Sequence, residues 1–124
     1  MKGPITIVVP GRPVPKGRPR VVRGHAYTPA ATVVAEHRIA FLARAVGARP
    51  IECPVAVRAE FFFKDGRARA DIDNLAKLVL DALNGVAFKD DRQVVSLEAT
   101  IYRGQKDLSV VTITPIAEEL LWKT

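Results

Sequence analysis

Asp71-Ile72-Asp73-Asn74-Leu75-Ala76-Lys77 places two carboxylates and a lysine within one short stretch, and a second acidic pair, Asp90-Asp91, follows it. In a chain of formal net charge +6, that much local negative charge points to a bound cation. Two carboxylates separated by one residue at the start of a helix can converge on one ion, the first from the cap and the second from the first turn. Asp91, or its neighbour Asp90, can bring a third oxygen from the following loop. A hard, oxygen-only set suits Mg²⁺ or Mn²⁺, which keep waters and bridge to substrate phosphates, and it suits zinc poorly. Such an ion can acidify a bound water and polarise a phosphoryl oxygen, while a nearby lysine such as Lys77 counters charge in the transition state. The chemistry indicated is metal-dependent hydrolysis of a phosphodiester.

Each residue also has a plainer reading. Aspartate at a helix N-cap contributes about 1 kcal/mol without any metal, which accounts for Asp71. Asp73 in the first turn suits the helix dipole. Lys77 lies one turn after Asp73, and an i, i+4 ion pair of that kind contributes about 0.3–0.5 kcal/mol. Asp90-Asp91 can be a solvated turn. These readings require several independent acids to gather in one place while the chain stays basic elsewhere.

The elements that must position these residues follow from pattern. Ile5-Thr6-Ile7-Val8-Val9 is β-branched and ended by Pro10-Gly11, so a first strand is predicted. Residues 10–29 hold five prolines among several cations, including Pro15-Lys16-Gly17-Arg18-Pro19-Arg20. Regular structure is disfavoured there, and an extended basic arm is predicted. Thr28 as N-cap and Pro29 at the first helical position start a helix carrying Val33, Val34, His37, Ile39, Phe41, Leu42 and Ala45, which stops at Gly47. Val55, Val57, Ala59, Phe61 and Phe63 alternate with Ala56, Arg58, Glu60 and Phe62, giving a second strand with one apolar face.

A basic loop with Arg67 and Arg69 leads to the helix over residues 72–84. Leu75, Leu78, Val79, Ala82 and Leu83 form its core face, Asp71 its N-cap and Gly85 its stop. Asp73, Lys77 and Asp81 make a polar stripe along it. Val95, Leu97, Ala99 and Ile101 mark a third strand, residues 103–107 a hairpin turn, and residues 108–114 the last strand. Residues 115–123 are predicted as a short helical or irregular tail. The order β-α-β-α-β-β predicts an α+β, or two-layer α/β, fold with a small mixed sheet and two main helices. One domain spanning residues 1–124 is expected.

Composition narrows the function classes. With 48% hydrophobic and 26% charged residues the chain is an ordinary globular sequence. Cys53 is the only cysteine, which excludes an intramolecular disulfide and a zinc site built from several thiolates. The apolar run before Pro10 is too brief for a signal-peptide core, and no segment reaches membrane-spanning length, so a cytoplasmic protein is expected. No phosphate-binding glycine loop accompanies a lysine, so no nucleotide cofactor is expected. Residues 1–50 carry nine Lys/Arg against one Glu, whereas residues 51–124 carry ten against twelve Asp/Glu. A basic front joined to an acidic centre suits a polyanionic partner gripped by one part and processed by another.

Three groups of residues match one family. Asp71-Ile72-Asp73-Asn74-Leu75-Ala76-Lys77, Asp81-Ala82-Leu83-Asn84-Gly85 and Asp90-Asp91-Arg92-Gln93-Val94 resemble, in residue and in spacing, the signature of the RusA family of Holliday junction resolvases. Pro10-Gly11-Arg12-Pro13-Val14-Pro15-Lys16-Gly17-Arg18-Pro19-Arg20 and Tyr27-Thr28-Pro29 are similar to members of phage or prophage type. The resemblance implies a homodimeric crossover junction endodeoxyribonuclease that binds four-way DNA junctions and, with Mg²⁺ or Mn²⁺, nicks two strands symmetrically. By position it implies catalytic acids at Asp71, Asp73 and Asp91, which would hold the metal with Asp90 as a possible further ligand, and an essential lysine at Lys77. Lys16, Arg18, Arg20, Arg67 and Arg69 are the candidate phosphate contacts. Two other classes remain open: a non-catalytic, structure-selective DNA-binding protein, and a metal phosphohydrolase acting on other phosphodiesters.

Overall fold

The computed structural model describes residues 3–65 and 71–123. Its central element is β4, Val55–Phe63, whose strict alternation buries Val55, Val57, Ala59, Phe61 and Phe63 on one face. Three more strands join it in a mixed sheet: β1 (Ile5–Pro10), β5 (Val94–Arg103) and β6 (Leu108–Pro115), in the order β1-β6-β4-β5. β6 pairs antiparallel with both β1 and β4, and β5 runs parallel to β4. Two helices, α1 (Ala30–Ala45) and α2 (Ile72–Leu83), complete the α+β architecture.

The core forms where the apolar side of the sheet meets the helices. Ile7, Val57, Phe61, Val111 and Ile113 from the strands join Ile39, Ala43, Leu75, Leu78, Val79 and Leu83 from the helices. α2 is strongly amphipathic: Leu75, Ala76, Leu78, Val79, Ala82 and Leu83 are buried, and its polar side carries Asp73, Lys77 and Asp81. Truncating Leu75, which is fully buried, would cost about 2–5 kcal/mol. Gly85 ends the helix as predicted, in a left-handed conformation (φ 80°) that glycine adopts without a Cβ penalty. Its N–H donates to the Phe88 carbonyl at 2.8 Å, turning the chain toward Asp90. On the opposite face of the sheet, Phe62 stacks on Tyr102 with ring centroids 5.0 Å apart, and Arg58 lies 3.5 Å from Glu98.

Four local expectations are corrected. α1 begins at Ala30 with Pro29 itself at the cap position and no side-chain cap, because Pro29 adopts extended backbone (φ −55°, ψ 142°). Thr28 therefore precedes the cap. The buried side of α1 is Thr32, Ile39, Ala40 and Ala43, while Val34 and Phe41 from the predicted apolar pattern are exposed. The basic arm is not wholly irregular: β2 (Arg20–Val22) and β3 (His25–Tyr27) form a two-stranded ribbon. Arg23 and Gly24 both have positive φ, the requirement of a tight hairpin turn whose twist matches the strands. Finally, residues 103–107 do not close a hairpin, because β4 lies between β5 and β6. This connection instead crosses the end of β4, where the Gly104 N–H donates to the Phe63 carbonyl (3.2 Å) and the Lys64 N–H to the Asp107 carboxylate (2.7 Å). The tail is a 3₁₀ turn over Glu118–Leu121. Among the described residues, no helix is long and apolar enough to cross a membrane.

Candidate active site

Asp71 occupies the N-cap position of α2 with extended backbone (φ −66°, ψ 135°), and its carbonyl accepts from the N–H groups of Asn74 and Leu75 at 3.1 Å each. Its carboxylate makes no capping hydrogen bond. The helix is thus started by the Asp71 backbone, leaving the acid outside the capping interaction that would have explained it. Asp73 follows in the first turn, exposed. The ion pair on this stripe is not the expected one with Asp73: Lys77 Nζ lies 3.8 Å from Asp81 Oδ2, one turn further on.

Asp90 and Asp91 differ in what surrounds them. Asp90 caps the 3₁₀ turn Asp91–Gln93: its Oδ1 accepts from the Arg92 N–H at 2.9 Å and from Arg92 Nε at 3.2 Å. The Asp90 N–H donates to Gln93 Oε1 at 2.9 Å, completing a capping box. The Arg92 N–H and guanidinium hold the Asp90 carboxyl below the usual carboxylate range. Gln93 fixes the turn to the preceding segment, Nε2 donating to the carbonyls of Ile51 (2.7 Å) and Cys53 (2.9 Å). Asp91 is left exposed, and it lines a pocket of about 160 Å³ with Asp73, Lys77, Asp81, Ala76, Leu80 and Leu97.

The structure therefore brings Asp73, Lys77 and Asp91 to one pocket, with Asp81 as a fourth charged wall. Asp71 stands at the helix start and is not among the lining residues. Among the described residues, no three potential metal-ligating side chains are gathered into a preformed cage. The chain matches the family described as endodeoxyribonuclease RusA over residues 10–114. It belongs to the RusA family of Holliday junction resolvases. Comparison with curated proteins finds no match. The matched span includes the basic arm as well as the acidic helix.

The candidate phosphate contacts of this RusA-family chain have different surroundings. Arg18 and Arg20 are exposed, Arg20 opening the β2–β3 ribbon. Arg67 and Arg69 lie outside the described residues. Lys16 departs from the expectation: its Nζ lies 2.7 Å from Glu36 Oε2 on α1 and 3.0 Å from Asp81 Oδ2 on α2. The Lys16 N–H also donates to the Asn74 carbonyl at 2.8 Å, in the first turn of α2. Next to it, the Gly17 N–H donates to Thr32 Oγ1 at 3.0 Å. A Cβ at Gly17 would come within 2.8 Å of that oxygen, so the close approach requires glycine. Burial alone would lower the Lys16 pKa, but hydrogen bonds to Glu36 and Asp81 outweigh it and hold the ammonium above its ordinary value.

Sequence reasoning missed the parts played by Glu36, Thr32 and Gln93; it placed Asp81 on the polar stripe of α2 but not beside Lys16. The aspartate-x-x-glutamine spacing of Asp90 and Gln93 was a usable cap signal. Nothing local links Lys16 to Glu36 or Asp81.

Proposed function

We propose that this chain is a metal-assisted endonuclease that resolves four-way DNA junctions by paired symmetric nicks, working as a homodimer. RusA-family membership supports junction DNA as the substrate, and the observation that carries the site is the meeting of Asp73, Lys77 and Asp91 around one open pocket. The donor chemistry fits the ion the family implies. Mg²⁺ is commonly held through one or two carboxylates, with waters and substrate phosphates completing its octahedron, so an open pair with Asp71 close by in sequence suits it better than a closed cage would. Mn²⁺ has the same ligand preference. When bound, such an ion supplies activation of water and stabilisation of charge on the phosphate.

The protein groups have separable roles. Asp73 and Asp91 present carboxylate oxygens from two different segments, so the correct fold of α2 against the 90–93 turn is needed to align them. Asp71 adds a third carboxylate from the helix cap. Lys77 projects from the next turn of α2, exposed, where its ammonium can neutralise a scissile phosphate as charge accumulates. The exposed Arg18 and Arg20 carry the ribbon's charge toward flanking phosphates, which fix position without reading sequence. Two coordinated nicks need two such sites, and a two-fold dimer meets a nearly two-fold junction.

The test is cleavage of a synthetic four-way junction by the purified chain with and without Mg²⁺, together with sizing of the complex. Paired nicks in the junction, dependence on the ion and sparing of linear duplex of the same sequence are expected. Equal cleavage of junction and duplex, or equal cleavage without metal, overturns the reading.

A further inference from the structure

We propose that Lys16 is a positioning residue for the active site, acting through the Asp81 carboxylate that it shares with Lys77. The proposal rests on the endonuclease reading of Lys77, and it assigns to the arm a function beyond contact with phosphate. The decisive observation is that a single oxygen, Asp81 Oδ2, faces both ammonium groups: Lys16 Nζ at 3.0 Å and Lys77 Nζ at 3.8 Å. The shorter contact belongs to the better-shielded lysine. Side-chain exposure is 21% for Lys16, against 61% for Lys77.

This asymmetry determines what Lys77 can do. Asp81 and Lys77 stand at i and i−4 on α2, a spacing that ordinarily draws the two charges into contact. Lys16 and Asp81 instead form the closer pair, and Glu36 at 2.7 Å completes the Lys16 environment from α1. With its charge offset by Lys16, Asp81 holds Lys77 only loosely, and the Lys77 ammonium remains available to the pocket that it lines with Asp73 and Asp91. Removing the Lys16 charge leaves Asp81 uncompensated and draws Lys77 toward it, away from a substrate phosphate.

Lys16 cannot easily drift from this position. Its N–H is bound to the Asn74 carbonyl, immediately after Asp73, and its neighbour Gly17 is packed against Thr32 and Pro29. The arm is thereby fastened at both the backbone and the side chain. The same fastening explains why a lysine in a proline-rich basic segment is partly buried, whereas Arg18 and Arg20 just beyond it are exposed.

The network makes an unusual genetic prediction: removing the acid should repair the loss caused by removing the distal lysine. Lys16→Met keeps most of the aliphatic stem, and it is expected to lower kcat on saturating four-way junction about tenfold with junction Kd changed by less than about twofold. Adding Asp81→Asn to Lys16→Met is expected to recover most of that loss, because the carboxylate that would sequester Lys77 is gone. A weakened Kd with kcat intact would show Lys16 to be a phosphate contact and overturn the proposal. A double variant no faster than Lys16→Met would show a scaffold role only, and overturn it equally.

A readout independent of cleavage separates this proposal from the endonuclease reading. The side-chain NMR signal of Lys77 should move in Lys16→Met and return toward its wild-type position when Asp81→Asn is added. If the wild-type chain cuts no junction, the endonuclease reading fails on its own, and this signal still decides the network. A Lys77 signal unchanged by Lys16→Met overturns the network whatever the activity.

Discussion

Residues 10–17 and 18–27 form one continuous basic segment, yet their cations meet different surroundings. In the first part Arg12 lies 3.2 Å from Asp65 and 5.0 Å above the Phe63 ring, and Lys16 is held between Glu36 and Asp81. In the second, Arg18, Arg20 and Arg23 are exposed, and none forms an ion pair among the described residues. The difference lies in what faces the charge. Where acids lie opposite, a cation fastens the arm to the rest of the fold, Arg12 to the end of β4 and Lys16 to the two helices; where none does, it remains available to a polyanion. The adjacent Asp90 and Asp91 repeat the contrast with opposite sign, one engaged by Arg92 and the other lining the pocket.

Substitutions can break this contrast, starting with the largest effect. Asp91→Asn is expected to lower junction cleavage by at least about 10²-fold with binding retained, measured by single-turnover cleavage and by gel shift. Asp90→Ala should leave most cleavage intact and lower thermal stability. Because its folded-state pKa is depressed, the Asp90 cap contributes above the ordinary carboxylate range and is lost as pH falls below about 4. The stability difference between wild type and Asp90→Ala should therefore vanish in acid; a difference that grows there would contradict the capping role.

Gly17→Val attacks the fastened part of the arm. Its side chain would meet Thr32 Oγ1 at 2.8 Å and Pro29 Cγ at 3.0 Å, so a loss of about 1–3 kcal/mol in urea unfolding is expected. The smallest effect belongs to the projecting part. Arg18→Ala and Arg20→Ala should each change stability by less than about 0.5 kcal/mol and reduce the salt dependence of junction binding by about one unit of slope. An unchanged slope in both would remove the ribbon from the DNA interface.

Legibility from sequence followed the range of the interactions. α2, β4 and Gly85 were readable because periodicity and capping are local, and β4 matched its predicted residues, Val55–Phe63, end to end. The turn after β5 looked like a hairpin because its residues are turn formers, but insertion of β4 between β5 and β6 is a long-range choice that no turn residue records. The β2–β3 ribbon was obscured by prolines on either side, although Arg23-Gly24 carries its signal. Asp73, Lys77 and Asp91 could be picked out by type and spacing. The sharing of Asp81 by Lys16 and Lys77 could not, since it joins residues far apart in the chain through the packing of the arm on two helices.

The parallel pairing of β5 with β4 gives the site a kinetic character as well as a place. Asp71, Asp73, Lys77 and Asp91 all lie on the single crossover between the end of β4 at Phe63 and the start of β5 at Val94. Parallel strands cannot pair until such a connection has closed, so this contact has the entropic cost of a long loop and belongs among the slow steps of folding. Asp73 and Asp91 come together through that closure. During refolding, cleavage competence should therefore appear together with the parallel strand pair.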